Sequence, residues 1–239
     1  AAQTKLTKEN VQYALNKLQA NQLGSGAFAL WPTSTQVNTW ATTYAGHFIV
    51  EAEKRGYTLP NGLKKRWLTY EKSAAASWQS SPDRPWLEME QAYRLYVLAL
   101  AGEADLGAMN RLRNTKLTKN SAWRLAAAYI LAGQKSIASG LMQKEYANSA
   151  ENYYDPTFGN EMRASAMRLE NYMLLGDEAK AFEQAITLAK HLNNDEMYTT
   201  QATAFALMNM AKFIDNKKAS PLKFAWKAEK ENKQIDQSG

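Results

Sequence analysis

Acid–base chemistry is the first that this 239-residue chain could support, because two carboxylates facing one cavity can cleave a glycosidic bond. The nearest candidate pairs are Glu51 with Glu53 and Glu88 with Glu90. Residues two apart on a helix leave it on different sides, so neither pair converges by spacing. Asp83 follows Pro82 in a loop, where it serves equally well as a helix cap. Nucleophilic catalysis has less support. There is no Gly-x-Ser-x-Gly elbow, and His47 and His191 share no motif with a serine or an acid. His47, between Tyr44 and Phe48, reads as a core or rim histidine. His191 ends a helical run, where a cation suits the dipole. The chain has no cysteine, which excludes disulfides, thiolate metal sites and a cysteine nucleophile within it. With two histidines a histidine-rich metal site has no basis either. Gly24-Ser25-Gly26 lacks the Lys-Ser/Thr of a phosphate loop, and no strand precedes it.

Aromatic and basic residues offer binding rather than catalysis. Trp40, Trp67, Trp86 and Trp123 fall on helical stripes or first turns, where burial explains them. Trp31 is in a loop before Pro32, and the expectation is that it anchors that loop over the core, with a sugar-stacking platform as the other reading. Arg94, Arg124 and Arg168 each precede a leucine and suit packing or solvated positions; anion binding would need them to converge. The net charge is +6, of which +3 lies in the last 28 residues. The other half is dispersed, so no basic stripe with interleaved aromatics marks a nucleic-acid surface. No run of eighteen apolar residues marks a membrane span. The start, Ala1-Ala2-Gln3-Thr4-Lys5, has no apolar core of a signal peptide, which leaves open a removed leader or a longer parent chain.

Helices must position these residues. Val11, Leu15 and Leu18 follow a Thr7 that can cap, and Gly24 to Pro32 then reads as a structured loop. Asn38-Thr39 precedes a helix from Trp40 to Lys54 that ends near Gly56. Pro60-Asn61-Gly62 opens another, with Leu63, Trp67 and Tyr70 on one stripe, and Ser80 to Pro85 breaks it. Three related units follow: Ala92-Tyr93-Arg94-Leu95 to Gly102, Ala122-Trp123-Arg124-Leu125 to Gly133, and Met167-Arg168-Leu169 to Gly176. Each is a helix, a glycine able to turn the chain, and a second helix, near 104–113, 135–146 and 177–191. The unit spacing, 30 and then 44 residues, is too uneven for a regular array. Asn152 to Gly159 reads as a loop. Asp195 to Thr200 leads into a last helix with Ala204, Met208 and Ala211 on one face. Leu222, Phe224 and Trp226 then alternate with polar or small residues, as in a half-exposed strand, while Glu229 to Gly239 reads as polar and frayed. The fold class is all-α, built of helical hairpins.

Several segments together resemble a known family. Gly26-Ala27-Phe28-Ala29-Leu30-Trp31-Pro32, followed by Asn38-Thr39-Trp40-Ala41-Thr42-Thr43-Tyr44, is similar to the glycine-aromatic loop and Trp-x-Thr-x-Tyr helix of thioester domains. Tyr198-Thr199-Thr200-Gln201-Ala202-Thr203 resembles the start of that domain's closing helix. Ala92 to Gly102 and Glu161 to Ala166 fit helices between. The likeness spans about residues 8 to 213 and points to the bacterial branch of the alpha-2-macroglobulin and complement family.

That resemblance implies an α/α toroid over 1–213, with N-terminal helices missing. A linker and partial β-strand of a neighbouring β-sandwich domain would follow over 214–239. It implies a protease trap: bait cleavage exposes a strained Cys–Gln thioester that acylates the attacker. The Cys-x-Glu-Gln motif is absent from this chain, so this piece cannot form that bond. The stretch from about 60 to 88 holds no histidine, so the general base of the complement members does not carry over. No catalytic residue, metal or cofactor is therefore assigned. Trp31, Asn38, Trp40, Tyr44 and Gln201 are the candidates for a rim beside the thioester segment. The implied partners are the other domains of the parent macroglobulin chain and target proteases, with no nucleic acid and no transmembrane segment. The implied location is periplasmic or extracellular, with envelope anchoring through the parent protein. A carbohydrate-active toroid enzyme and a tetratricopeptide-like scaffold are the competing functions.

Overall fold

The computed structural model describes residues 2–31, 33–84, 86–146, 157, 159–193, 198–217, 223–228 and 231–236. The sequence readings at Pro32, Pro85, 152–156, Phe158, 195–197 and Leu222 lie outside the described residues. The chain divides into two compact units, Ala1–Gly159 and Asn160–Gly239.

In the first unit run α1 (Ala2–Asn21), α2 (Thr39–Lys54), α3 (Leu63–Ser77), α4 (Leu87–Leu100), α5 (Leu106–Arg113), α6 (Lys119–Leu131) and α7 (Lys135–Gln143). Their depth differs in a way that sequence explains. Every α4 residue from Glu88 to Ala99 is buried, as is every α6 residue from Ser121 to Ile130. Such helices are covered on all sides, which suits their alanines, tyrosines and leucines. By contrast, α5 buries Ala108, Met109 and Leu112, and α7 buries Ala138 and Leu141, each a single stripe with polar residues outside. The inner helix of each hairpin is thus buried all round and the outer helix on one face.

The hairpins close identically. Gly102, Gly133 and Gly176 have φ of +84°, +77° and +78°, and the amide after each reaches back five residues to a carbonyl. These bonds are Glu103 N to Leu98 O at 2.9 Å, Gln134 N to Tyr129 O at 2.8 Å and Asp177 N to Tyr172 O at 3.0 Å. This is a Schellman-type stop, open to glycine because it lacks a Cβ. Side chains of Asp105, Thr118, Asn160 and Asp177 cap the helices that follow. Thr7 does not cap, because α1 starts five residues earlier, at Ala2, in good helix formers.

The core of the first unit is drawn tight at one point. A Cβ on Gly46 of α2 would lie 1.9 Å from the Trp67 ring of α3, so only glycine lets the indole cross there. Trp67 is fully buried and its Nε1 donates to Thr42 O at 3.1 Å.

The second unit holds α8 (Glu161–Leu175), α9 (Glu178–Leu192) and α10 (Thr200–Lys217). The face of α10 that carries Ala204, Met208 and Ala211 is not the buried one. Ala204, Leu207 and Ala211 are exposed and Met208 is half-buried, whereas Ala202, Phe205, Ala206 and Asn209 are buried. The buried face includes a polar residue, Asn209, whose Nδ2 donates to Phe205 O at 3.0 Å. That local bond lets an amide sit where apolar periodicity excludes it.

The tail also departs from expectation. Two antiparallel strands form there, β1 (Lys223–Ala228) and β2 (Glu231–Asp236), with Phe224 opposite Ile235 and Trp226 opposite Lys233. The polar segment expected to fray supplies β1 with its backbone partner. No apolar alternation marked β2, since main-chain pairing does not require it.

Candidate functional site

The candidate site is built around the first turns of α2 and the loop that leads into them. Asn38 caps α2, its Oδ1 accepting from Ala41 N at 2.8 Å. Its own amide donates to Phe28 O at 3.0 Å, fastening the loop to the helix start. Phe28 N donates to Thr42 Oγ1 at 2.9 Å, and short bridges pair Gln22 with Phe28 and Ala29 with Val37. Ala27 and Phe28 fill the core beneath, at 0% and 4% exposure. Trp31 does not. It is 68% exposed, so the expectation that it anchors the loop is overturned: Phe28 takes that place, and Trp31 projects from the turn that the Ala29–Val37 bridge closes.

Trp40 is buried against Tyr93, ring centroids 4.8 Å apart, and is part of the core rather than a surface. Tyr44 is half-buried, and desolvation raises its hydroxyl above the usual tyrosine pKa. It lines a groove of about 570 Å³ between α1 and α2, with Tyr13, Leu18, Phe28, Leu30, Ala45 and Phe48. Lys17 is the one charged residue of that lining, and no carboxylate enters it. Gln201 belongs to the other unit, on α10, where its Oε1 accepts from Arg163 at 3.2 Å. Of the five rim candidates, four therefore gather at the α2 entry: Trp31 and Tyr44 at the surface, Asn38 as the cap and Trp40 beneath.

Under the site lies a polar network that spacing did not reveal. Glu71 of α3 is fully buried; Thr43 donates to its Oε1 at 2.9 Å and Arg94 Nε to its Oε2 at 2.7 Å. Burial raises the Glu71 pKa against the opposing pull of Arg94 and the hydrogen bonds. Gln91 accepts from Arg94 and donates to Ala75 O at 3.1 Å. Thr39, in the first turn of α2, donates to Glu90 Oε2 at 2.8 Å. The threonines at i and i+4 were the available signal, since paired hydroxyls on an otherwise apolar helix face need acceptors.

The other candidate groups are engaged in internal contacts. Glu88 and Glu90 are both buried, but Glu88 accepts from Ser80 and Glu90 from Thr39, on opposite sides as spacing required. His47 is 3% exposed, its Nδ1 3.0 Å from the Tyr93 hydroxyl and its Nε2 3.7 Å from Glu51 Oε1, which agrees with a core histidine that has one ring nitrogen satisfied. His191 lies in the last turn of α9, 3.4 Å from the Tyr198 hydroxyl. Arg94 is sealed against Glu71, and the Arg124 guanidinium stacks 4.2 Å over the Tyr96 ring. Arg168 pairs with Glu161. Among the described residues no group of acids and histidines could hold a metal ion, and no helix is long and apolar enough to cross a membrane.

No family model matches the chain. An alpha-2-macroglobulin homolog of Yersinia pestis is 24% identical over 228 residues, covering 86% of this chain. An alpha-2-macroglobulin of Escherichia coli is 27% identical over 190 residues, covering 72%. The homologues are bacterial alpha-2-macroglobulins. The fold agrees: native Escherichia coli alpha-2-macroglobulin, solved from domain MG7 to the C-terminus, matches 98% of this chain at a TM-score of 0.74 and 20% identity. The all-α architecture is therefore one that a bacterial alpha-2-macroglobulin contains. The chain spans 11% of the length of these two curated alpha-2-macroglobulins and 38% of the solved one.

Proposed function

We propose that this chain is a non-catalytic helical module of a bacterial alpha-2-macroglobulin-like protease inhibitor, an α/α toroid of the thioester-domain type over 1–213. In this reading the Trp31 loop and the α1–α2 groove seat a reactive segment contributed by the parent chain. That segment tethers a protease after bait cleavage, and the present residues shield and orient it. The tail over 214–239 leads into a β-sandwich neighbour. The parent acts in the periplasm or outside the cell, anchored at the envelope.

The observation that carries this reading is the likeness of nearly the whole chain to one continuous part of a macroglobulin. The site adds to it. An exposed indole and a groove free of carboxylates offer cover, while every buried carboxylate of α3 and α4 named above is held in an internal hydrogen bond. A glycosidase needs two such acids facing substrate.

The test is to incubate the parent protein with trypsin and follow adducts by denaturing electrophoresis, beside this chain alone. The parent is expected to retain trypsin in a covalent, high-mass band, and this chain to leave trypsin untouched. Inhibition by this chain alone, or sugar release from a polysaccharide panel, overturns the assignment.

A further inference from the structure

A second groove opens in the first unit, between the turn joining α5 to α6 and the far end of α7, with a volume of about 500 Å³. We propose that it docks an extended acidic segment of another polypeptide, with one apolar side chain as its anchor. Leu117, Ile137 and Leu141 form its apolar floor, and Tyr146 closes one side, its hydroxyl donating to Leu141 O at 2.9 Å. Arg113, Lys116 and Lys144 stand around that floor, all exposed, against a single acid, Glu145.

Two contrasts set this cluster apart. Some surface cations elsewhere in the unit are answered by carboxylates: Lys5 by Glu9, Arg55 by Glu51, Lys64 by Glu53 and Lys72 by Glu103. Arg113, Lys116 and Lys144 make no ion pair with any described residue. Helix dipoles account for only part of the cluster. Arg113 and Lys144 lie at the C-terminal ends of α5 and α7, where cations are favoured. Lys116 lies two residues before Thr118, the N-cap of α6, and Lys119 opens that helix. A cation at a helix N-terminus opposes the dipole. Three cations against the single carboxylate of Glu145 therefore leave the groove with a net positive lining among the described residues.

The occupant follows from sign and floor together. An acidic peptide meets the three cations, and its apolar anchor covers Leu117 and Leu141, as in recognition of acidic motifs by basic clusters. A second copy of this chain, with net charge +6, has the wrong sign. A nucleic acid leaves the apolar floor unused.

The experiment uses the whole chain and fluorescein-labelled peptides read by anisotropy. The first peptide has a central Leu flanked by Glu and Asp, the second replaces that Leu by Ser, and the third replaces the acids by Lys. The first is expected to bind, more weakly as salt rises, and the other two to lose about tenfold or more in affinity. Joint Arg113→Glu and Lys116→Glu substitution should abolish binding with the circular dichroism spectrum unchanged. Lys144→Glu, made separately, should weaken it and stands in if the pair fails to fold. Equal binding of the Leu and Ser peptides, unchanged binding to the variants, no binding at all, or preference for a single-stranded oligonucleotide overturns the proposal.

Discussion

The α4–α6 pair and the α1–α2 pair are both packed helices and end in opposite states. Between α4 and α6 every side chain over ten or more positions is covered, charged ones included. Among the described side chains of α1 only Leu15 is wholly buried, while Tyr13 is 63% exposed and a groove separates the helix from α2. The first pair is complete in itself. The second has an apolar wall and no occupant among the described residues, a condition that marks an interaction surface more often than a folding core. An interior can carry ions when each one is answered, as Arg94 is by Glu71, and an interface is left apolar where something is still to arrive.

Breaking the answered ion pair should have the largest effect. Arg94→Met leaves Glu71 buried without its cation and should cost about 3–5 kcal/mol in urea unfolding followed by circular dichroism. Glu71→Leu with Arg94→Met should recover most of that loss, since an apolar pair needs no compensation. If the double variant is no better than the single, the network does more than cancel charge. Gly46→Ala is next: its methyl meets the Trp67 ring, and displacing that indole should cost about 1–3 kcal/mol, read as a lowered thermal midpoint. The smallest effect belongs to the open pair. Trp31→Ala should leave stability within about 0.5 kcal/mol of the native chain, as an exposed residue does. A larger loss from that change would mean that the loop is core after all, and the contrast would fail.

Local rules made much of the fold legible. Asn38 and the glycines at 102, 133 and 176 announced helix ends because caps and left-handed turns depend on the residue in place. The readings that failed turned on partners distant in sequence. The buried face of α10 was not legible because apolar side chains lie on more than one of its sides. Which side is covered depends on what packs there, and Asn209 finds its acceptor within its own helix. Trp31 looked like an anchor because indoles are usually buried, yet Phe28 had already filled the place beneath the loop. The site was partly legible for a related reason. Asn38 and Tyr44 lie on a regular helix, whereas the meeting of Thr43, Glu71 and Arg94 joins three helices, and no spacing along the chain encodes it.

Thr42 has a mechanical consequence. Its hydroxyl serves both the amide of Phe28 in the loop and the carbonyl of Asn38 at the helix start, 2.9 and 2.7 Å away. One turn earlier, Thr39 moors the same helix to α4. A tug on the projecting indole would thus travel through two hydroxyls into the most deeply enclosed part of the unit, and the loop would behave as a handle fixed to the frame rather than as slack rope.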